Sequence, residues 1–259
     1  MANQQPKIRI EGLTKSFGDK EVLRGVDLDV HEGRSLVIIG GSGTGKSVLL
    51  KCILGLIQPD SGRILIDGTD ITKFGARRRA KHTRQIGMLF QGAALFDSLK
   101  IWENVAFRLV YGQGGITGKA REKAIECLSQ VGLGAEIADM RPAELSGGMQ
   151  KRVGLARAIA AEPSVLFFDE PTTGLDPIMA DVINTLIVQR VKALGCSAVS
   201  ITHDMTSAEK IADDVAMLYQ GRIIWRGDAA SIYTSGNNMV DQFVHGRAEG
   251  PIQMALRAN

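Results

Sequence analysis

Cysteine is scarce in this chain. Cys52, Cys127 and Cys196 are the only three in 259 residues, and no two form a CxxC pair. That argues against a disulfide framework or a zinc site and fits reduced, mostly buried thiols of a cytosolic protein. Long apolar runs are missing as well. Nowhere do 18 apolar residues run together, and the stretch from Val48 to Ile57 is broken by Lys51, so no segment is expected to span a bilayer. Met1 to Ile10 lacks the apolar centre of a signal peptide. Any membrane role is therefore expected to pass through a partner. Nor does one sign of charge dominate: 31 Lys+Arg against 28 Asp+Glu leave +3, too little to mark a nucleic-acid binder by composition.

Glycine, by contrast, is abundant. The chain holds 30, where an average usage of about 7% would give roughly 18. Such a surplus points to loops where the backbone approaches something closely or takes positive φ. Hydrophobic residues at 44% and charged residues at 23% describe a globular protein with a real core and exclude a disordered or fibrous one. The length suits one large domain, or one and a half at roughly 150 residues each.

Periodicity supplies the organisation. Short apolar strands are expected at Lys7–Ile10, Val26–Val30, Ser35–Ile39, Ile64–Ile66, Ile86–Phe90, Val165–Phe168, Ala198–Ile201, Val215–Tyr219 and Ile223–Trp225. The last two flank Gln220-Gly221 and predict a hairpin. Ser35–Ile39, a glycine cluster and a helical Lys46–Leu56 open a parallel α/β unit. Between Gln91 and Pro163 the pattern turns helical, at Ile101–Leu109, Lys119–Val131 and Gln150–Ala161. This predicts a helical subdomain, about residues 92–162, inside a main domain of 1–236. Residues 237–259 then form a C-terminal extension with a small helix of its own. Met239, Val240, Phe243 and Val244 share one face of that helix, with Asp241, Gln242 and His245 elsewhere. A helix so short needs that face docked, either on its own domain or on a neighbouring subunit.

The strongest motif is Gly40-Gly41-Ser42-Gly43-Thr44-Gly45-Lys46-Ser47, which fits G-x-x-x-x-G-K-[ST] between a strand and a helix. Its glycines let backbone N–H groups curl around phosphate oxygens, and the helix N-terminus adds its dipole. Lys46, expected to face solvent, can reach the β- and γ-phosphates, and the Ser47 hydroxyl can ligate Mg²⁺. Val165–Phe168 then delivers Asp169 and Glu170 at a strand's C-terminal end, where α/β sheets place ligands. Asp169 suits a Mg²⁺ shell and Glu170 can polarise an attacking water. Leu145-Ser146-Gly147-Gly148-Met149-Gln150 places a hydroxyl and free N–H groups at a helix start. It is a second anion site, a plain N-cap, or both.

In these motifs and their order, from about Ile8 to Gly227, the sequence resembles the ATP-binding subunit of an ABC transporter. The resemblance implies an α/β P-loop NTPase core with a mixed sheet, an inserted helical subdomain and a short C-terminal helical tail, working on ATP and Mg²⁺. It puts Phe17 at the position whose ring stacks on adenine, in place of the commoner Tyr. By the same resemblance Gln91 links Mg²⁺ and the lytic water to the membrane partner. Gly174-Leu175-Asp176 is the loop that crosses a dimer interface, and His203 contacts the γ-phosphate. Two subunits would clamp two ATP molecules head to tail, with Ser146, Gly147 and Gly148 of one chain meeting nucleotide on the other. An integral membrane permease is the implied partner, and the cytoplasmic face of the bacterial inner membrane the implied place.

Phe96-Asp97-Ser98-Leu99, where such ATPases touch the permease, is similar to ATPases of the lipid-asymmetry (Mla) phospholipid transporters and their MCE-system relatives. So is the tail segment Gln242-Phe243-Val244-His245-Gly246. That narrower resemblance implies phospholipid cargo, an MCE-domain lipid-binding protein and a small STAS-domain protein; an importer ATPase for another small solute is the alternative. Lys73, Arg77, Arg78, Arg79, Lys81 and Arg84 form a basic stretch without an intervening acid. It reads as a solvated face, or as one near anionic headgroups. Without interleaved aromatics, nucleic acid is not an expected partner. Two other classes compete. A soluble ABC ATPase usually carries coiled-coil insertions or paired ATPase halves, and neither is present. A P-loop kinase has no use for Ser146–Gly148 or His203.

Overall fold

The computed structural model describes residues 5–112 and 117–253. The first and last residues of the expected domain and tail, 1–4 and 254–259, lie outside the described residues. The elements in chain order are β1 (Ile8–Phe17), β2 (Lys20–Val30), β3 (Ser35–Ile39), α1 (Lys46–Ile53), β4 (Ser61–Ile66), β5 (Thr69–Asp70), α2 (Ala76–Thr83) and β6 (Ile86–Leu89). The helices α3 (Ile101–Phe107), α4 (Thr117–Ser129) and α5 (Gly147–Ile159) follow, then β7 (Val165–Asp169), α6 (Pro177–Leu194), β8 (Ser197–Thr202), α7 (Met205–Ile211), β9 (Asp214–Tyr219), β10 (Arg222–Asp228) and α8 (Asn238–Val244).

Two sheets carry the fold. A six-stranded mixed sheet runs β10-β9-β3-β8-β7-β6, parallel except for the β9–β10 hairpin. A four-stranded antiparallel sheet runs β2-β1-β4-β5. Both faces of the larger sheet are covered, so its central strands read as unbroken apolar runs rather than alternating ones. Leu36 and Ile38 pack with Ile8, Leu23 and Leu49 on one side, while Val37 and Ile39 pack with the helices on the other. Phe167 and Phe168 divide in the same way, because successive side chains of a strand point to opposite faces.

β1 and β2 are longer than the apolar pattern predicts, and turn back on each other at Gly18-Asp19. Their outer halves carry polar, half-exposed residues such as Thr14, Lys15 and Ser16, and the register slips between Ile10 and Leu13. An apolar pattern therefore fades where the strand continues.

The tail helix docks on its own chain. Val240 is fully buried, Val244 is 9% exposed, and both belong to the main core. Gln242, expected on an outer face, is buried instead. Its Oε1 accepts the Ile252 N–H at 2.7 Å, and its Nε2 donates to the carbonyls of Arg247 and Ile252. One amide thus folds the chain after α8 back onto the helix, which explains a polar residue on the buried side.

Candidate active site

The phosphate-loop segment leaves β3 and enters α1 through Gly45, the helix N-cap, at φ 107°. A side chain there would put its Cβ 2.9 Å from the Val22 carbonyl oxygen and 3.0 Å from Leu23, so only glycine fits. Phe17, Lys20, Val22 and Gly43–Val48 line a cleft of 330 Å³. Phe17, 49% exposed, keeps a free ring face at its rim, with Lys15 Nζ 5.4 Å from the ring centroid. That open face suits stacking by a flat ring.

Lys46 does not face solvent. It is 7% exposed, and its Nζ donates to the carbonyls of Gly40 at 2.6 Å and Gly41 at 2.9 Å. The ammonium closes the loop on itself and holds a positive charge beside it. Burial lowers its pKa, while Glu170 and Asp169 act in the opposite sense.

Asp169 ends β7, and burial with the neighbouring Glu170 raises its pKa against the pull of Lys51, Lys46 and Lys151. Its Oδ1 is buried without a hydrogen-bond partner among the described residues. A buried carboxylate oxygen left so is costly unless something else satisfies it. No cluster of three His, Cys, Asp or Glu able to hold a metal occurs among the described residues. Mg²⁺ does not need one: it takes one or two carboxylates, with phosphate oxygens and water completing the shell. The Ser47 hydroxyl and the Asp169 carboxylate are hard oxygen donors of that kind, so the residues present fit the ion.

Glu170 has a left-handed backbone, φ 49°. Its N–H donates to the Ile201 carbonyl at 2.9 Å, and its carboxylate accepts from Thr173 Oγ1 at 3.1 Å and meets His203 Nδ1 at 3.0 Å. His203, just after β8, is thus joined to the acid at the end of β7. Gln91, after β6, is exposed, and its carbonyl accepts from Lys151 Nζ. The parallel order β6-β7-β8 next to β3 collects Gln91, Asp169, Glu170, His203 and the phosphate loop at one end of the sheet. That is where a doubly covered α/β sheet places ligands.

The remaining expected residues stand apart from the cleft. Ser146 is exposed and caps α5, accepting the Met149 N–H at 3.3 Å. Gly147 is exposed, and a Cβ on Gly148 would meet Met179 Cε at 2.7 Å. None of the three lines the cleft of their own chain. Asp176 caps α6, accepting from the N–H groups of Ile178 and Met179 at 3.0 Å.

A family model described as "ABC transporter" matches residues 23–173. The chain belongs to the ABC transporter family. It is 39% identical over 248 residues to a probable ribonucleotide transport ATP-binding protein, mkl, of Mycobacterium leprae, covering 96% of this chain and 71% of that one. It is 37% identical over 254 residues to the intermembrane phospholipid transport system ATP-binding protein MlaF of Haemophilus influenzae, covering 98% and 96%. Among solved structures, an ATP-binding cassette in a dimeric post-hydrolysis state, bound to ADP and Pi, superposes with a TM-score of 0.79. It is 30% identical and covers 86% of this chain and 98% of its own. The protein is thus an ABC ATPase that hydrolyses ATP, and no helix among the described residues is long and apolar enough to cross a membrane.

Three buried cations of this ABC ATPase are not legible in its sequence: Lys46, Lys151 and Arg79. Arg79 belongs to the basic stretch expected on a solvated face but is 6% exposed, and its Nη2 donates to the carbonyls of Ile71 and Thr72. Lys151 is 6% exposed, and burial lowers its pKa despite Asp169 and Glu170. A lysine five residues after a helix cap reads as solvated, so only packing reveals it.

Proposed function

We propose that this chain is the ATPase of a phospholipid-transporting ABC system. It would work as a pair of copies beneath a membrane permease, on the cytoplasmic face of a bacterial inner membrane. The observation that carries the cargo is the 37% identity over 254 residues to a phospholipid transport ATP-binding protein. The relative described as a ribonucleotide transport protein, 39% identical over 248 residues, favours a second cargo class. The Phe96–Leu99 loop and the tail, similar to those of the Mla ATPases, support the phospholipid reading. So does a permease-facing surface in which Phe96 stacks on Phe107 at 4.5 Å and remains 44% exposed. An MCE-domain protein and a STAS-domain protein are the further partners this reading names.

In the proposed mechanism the adenine rests on Phe17 and the triphosphate on the N–H groups of Gly41–Ser47. The ammonium of Lys46 sits where charge develops on the transferring phosphoryl group. Ser47 and Asp169, with Gln91, would hold Mg²⁺, whose charge offsets that of the phosphate oxygens. Glu170, a carboxylate steadied by Thr173 and His203, accepts the proton of the attacking water. His203, exposed beside this acid, would contact the γ-phosphate, as the family resemblance implies. Ser146–Gly148 of the partner copy closes the other side of the nucleotide, consistent with their position outside the cleft of their own chain.

Two measurements test the proposal. Lys46→Ala should abolish phosphate release by the full chain. Normal turnover would remove the reaction from this cleft. Reconstituted in nanodiscs with its permease, the complex should show ATPase activity stimulated by phospholipid and not by ribonucleotides. The reverse would transfer the cargo to the second relative's class.

A further inference from the structure

α5 presents three residues to the loop after β6, at i, i+3 and i+6: Lys151, Gly154 and Arg157. This is one face of a helix. Lys151 Nζ donates to the Gln91 carbonyl, while Arg157 Nη2 and Nη1 donate to the carbonyls of Ala93 and Ala94, the latter at 2.8 Å. Between them, a Cβ on Gly154 would lie 2.7 Å from Leu89 Cδ1 and 3.2 Å from Ala93 Cβ, so the helix and the loop are in contact there. The loop is held in a form it would not keep alone. Ala93 and Ala94 have φ 58° and 48°, a left-handed backbone that non-glycine residues adopt only at a cost.

Lys151 makes a second contact. The same Nζ lies 3.3 Å from the carbonyl oxygen of Glu170, itself left-handed at φ 49°. The Glu170 peptide is thus fixed at both ends, by Ile201 through its N–H and by Lys151 through its C=O.

We infer that Lys151 is a positioning residue that ties the Gln91 loop to the backbone of Glu170. Through it, α5 holds both at a fixed spacing from Ser146–Gly148 at its own N-terminus. The inference rests on the reading of Glu170 as the group that handles the attacking water. A shift of the loop at Gln91 moves the ammonium, and the ammonium moves the Glu170 peptide. Arg157 anchors the loop to the same helix but does not reach Glu170, which separates gripping the loop from aligning the acid.

The test compares Lys151→Met, Lys151→Arg and Glu170→Gln in the full chain. Lys151→Met keeps length and loses the donor. It should lower kcat about ten- to a hundredfold with the ATP KM within about twofold, the pattern of misplaced reacting groups. Amide exchange should quicken in residues 91–95 and 169–172 and stay unchanged in the β1–β2 hairpin. Lys151→Arg should recover most of the rate. If Lys151→Met does not fold, Lys151→Gln, whose uncharged amide nitrogen is one atom shorter in reach than the ammonium and cannot span both carbonyls, should fold and show the same kcat loss. A kcat within twofold of the unaltered chain while Glu170→Gln is inactive overturns this inference alone. Faster exchange throughout the molecule, or a rise in KM without a fall in kcat, also overturns it. Unimpaired turnover in Glu170→Gln overturns the reading beneath it, and the inference with it.

Discussion

His203 Nδ1 and a carboxylate oxygen of Glu170 lie 3.0 Å apart, joining the loop after β8 to the acid at the end of β7. With Thr173 Oγ1 donating to Oε2, the Glu170 carboxylate is held from two sides. Preorganisation of this kind removes part of the reorganisation that the reaction would otherwise require. Glu170→Gln should therefore bind ATP and hydrolyse it about 10²–10⁴ times more slowly, as expected when a general base loses its charge. His203→Ala should slow turnover less, by roughly ten- to a hundredfold, because Thr173 still holds the acid. Single-turnover phosphate release, alongside nucleotide affinity, reads both. A faster rate in Glu170→Gln than in His203→Ala would reverse the order of the two roles.

Asp176 combines a structural duty with a proposed interfacial one, and two substitutions separate them. Removing the cap with Asp176→Ala should cost about 1 kcal/mol of stability, since the N–H groups of Ile178 and Met179 lose their acceptor. Asp176→Asn keeps a good cap and loses the charge. It should leave the melting temperature unchanged and weaken ATP-dependent pairing of chains, measured by light scattering. Equal pairing in the wild-type chain and Asp176→Asn would confine Asp176 to its cap.

The three cysteines give a pH prediction with a clear sign. Burial raises the pKa of Cys52, Cys127 and Cys196 to about 11. At pH 8 the thiolate fraction of each is then about one in a thousand, and the thiolate is the reactive form. The native chain should ignore a thiol-specific disulfide reagent at pH 8, and release three equivalents when denatured. Rapid reaction of any one thiol in the folded chain would show a solvent path that burial denies.

How much of this was legible in the sequence depended on whether a feature was local. The Gly40–Ser47 loop is contiguous, so residue type and spacing alone disclose it. β7 was equally plain, because a strand buried on both faces reads as the run Val165–Phe168. α6, by contrast, is not legible. It leaves Ile178, Val182 and Val188 exposed, which blurs the polar face by which a surface helix is recognised. The buried positions of Lys46 and Lys151 were invisible for a different reason. Each is stabilised by carbonyls that the fold brings near, from Gly40 and Gly41 in one case and from Gln91 and Glu170 in the other. Charge on a side chain predicts solvent, and tertiary hydrogen bonds overrule it.

The tail is the last test. Its short helix has one fully buried valine, Val240, and a second nearly so, Val244, both packed into the main core. Docking within the chain makes the helix part of the domain's own stability. Val240→Ala should cost about 1–3 kcal/mol, in the range for trimming a buried aliphatic side chain. In a chain of this size each kcal/mol lowers the melting temperature by roughly 2–4 °C. Deleting residues 237–259 should lower it further, because Ile232, buried in the helical turn Ala229–Thr234 on which α8 packs, would lose its cover. Gln242→Ala should act on the segment after α8 alone. Its amide makes three bonds to Arg247 and Ile252, so losing it should free that segment to proteolysis while α8 stays docked through Val240 and Val244. Calorimetry of the isolated chain reads the first two changes, and limited proteolysis reads the third. An unaltered melting temperature after deletion of 237–259 would mean that the helix gains its stability only from another subunit.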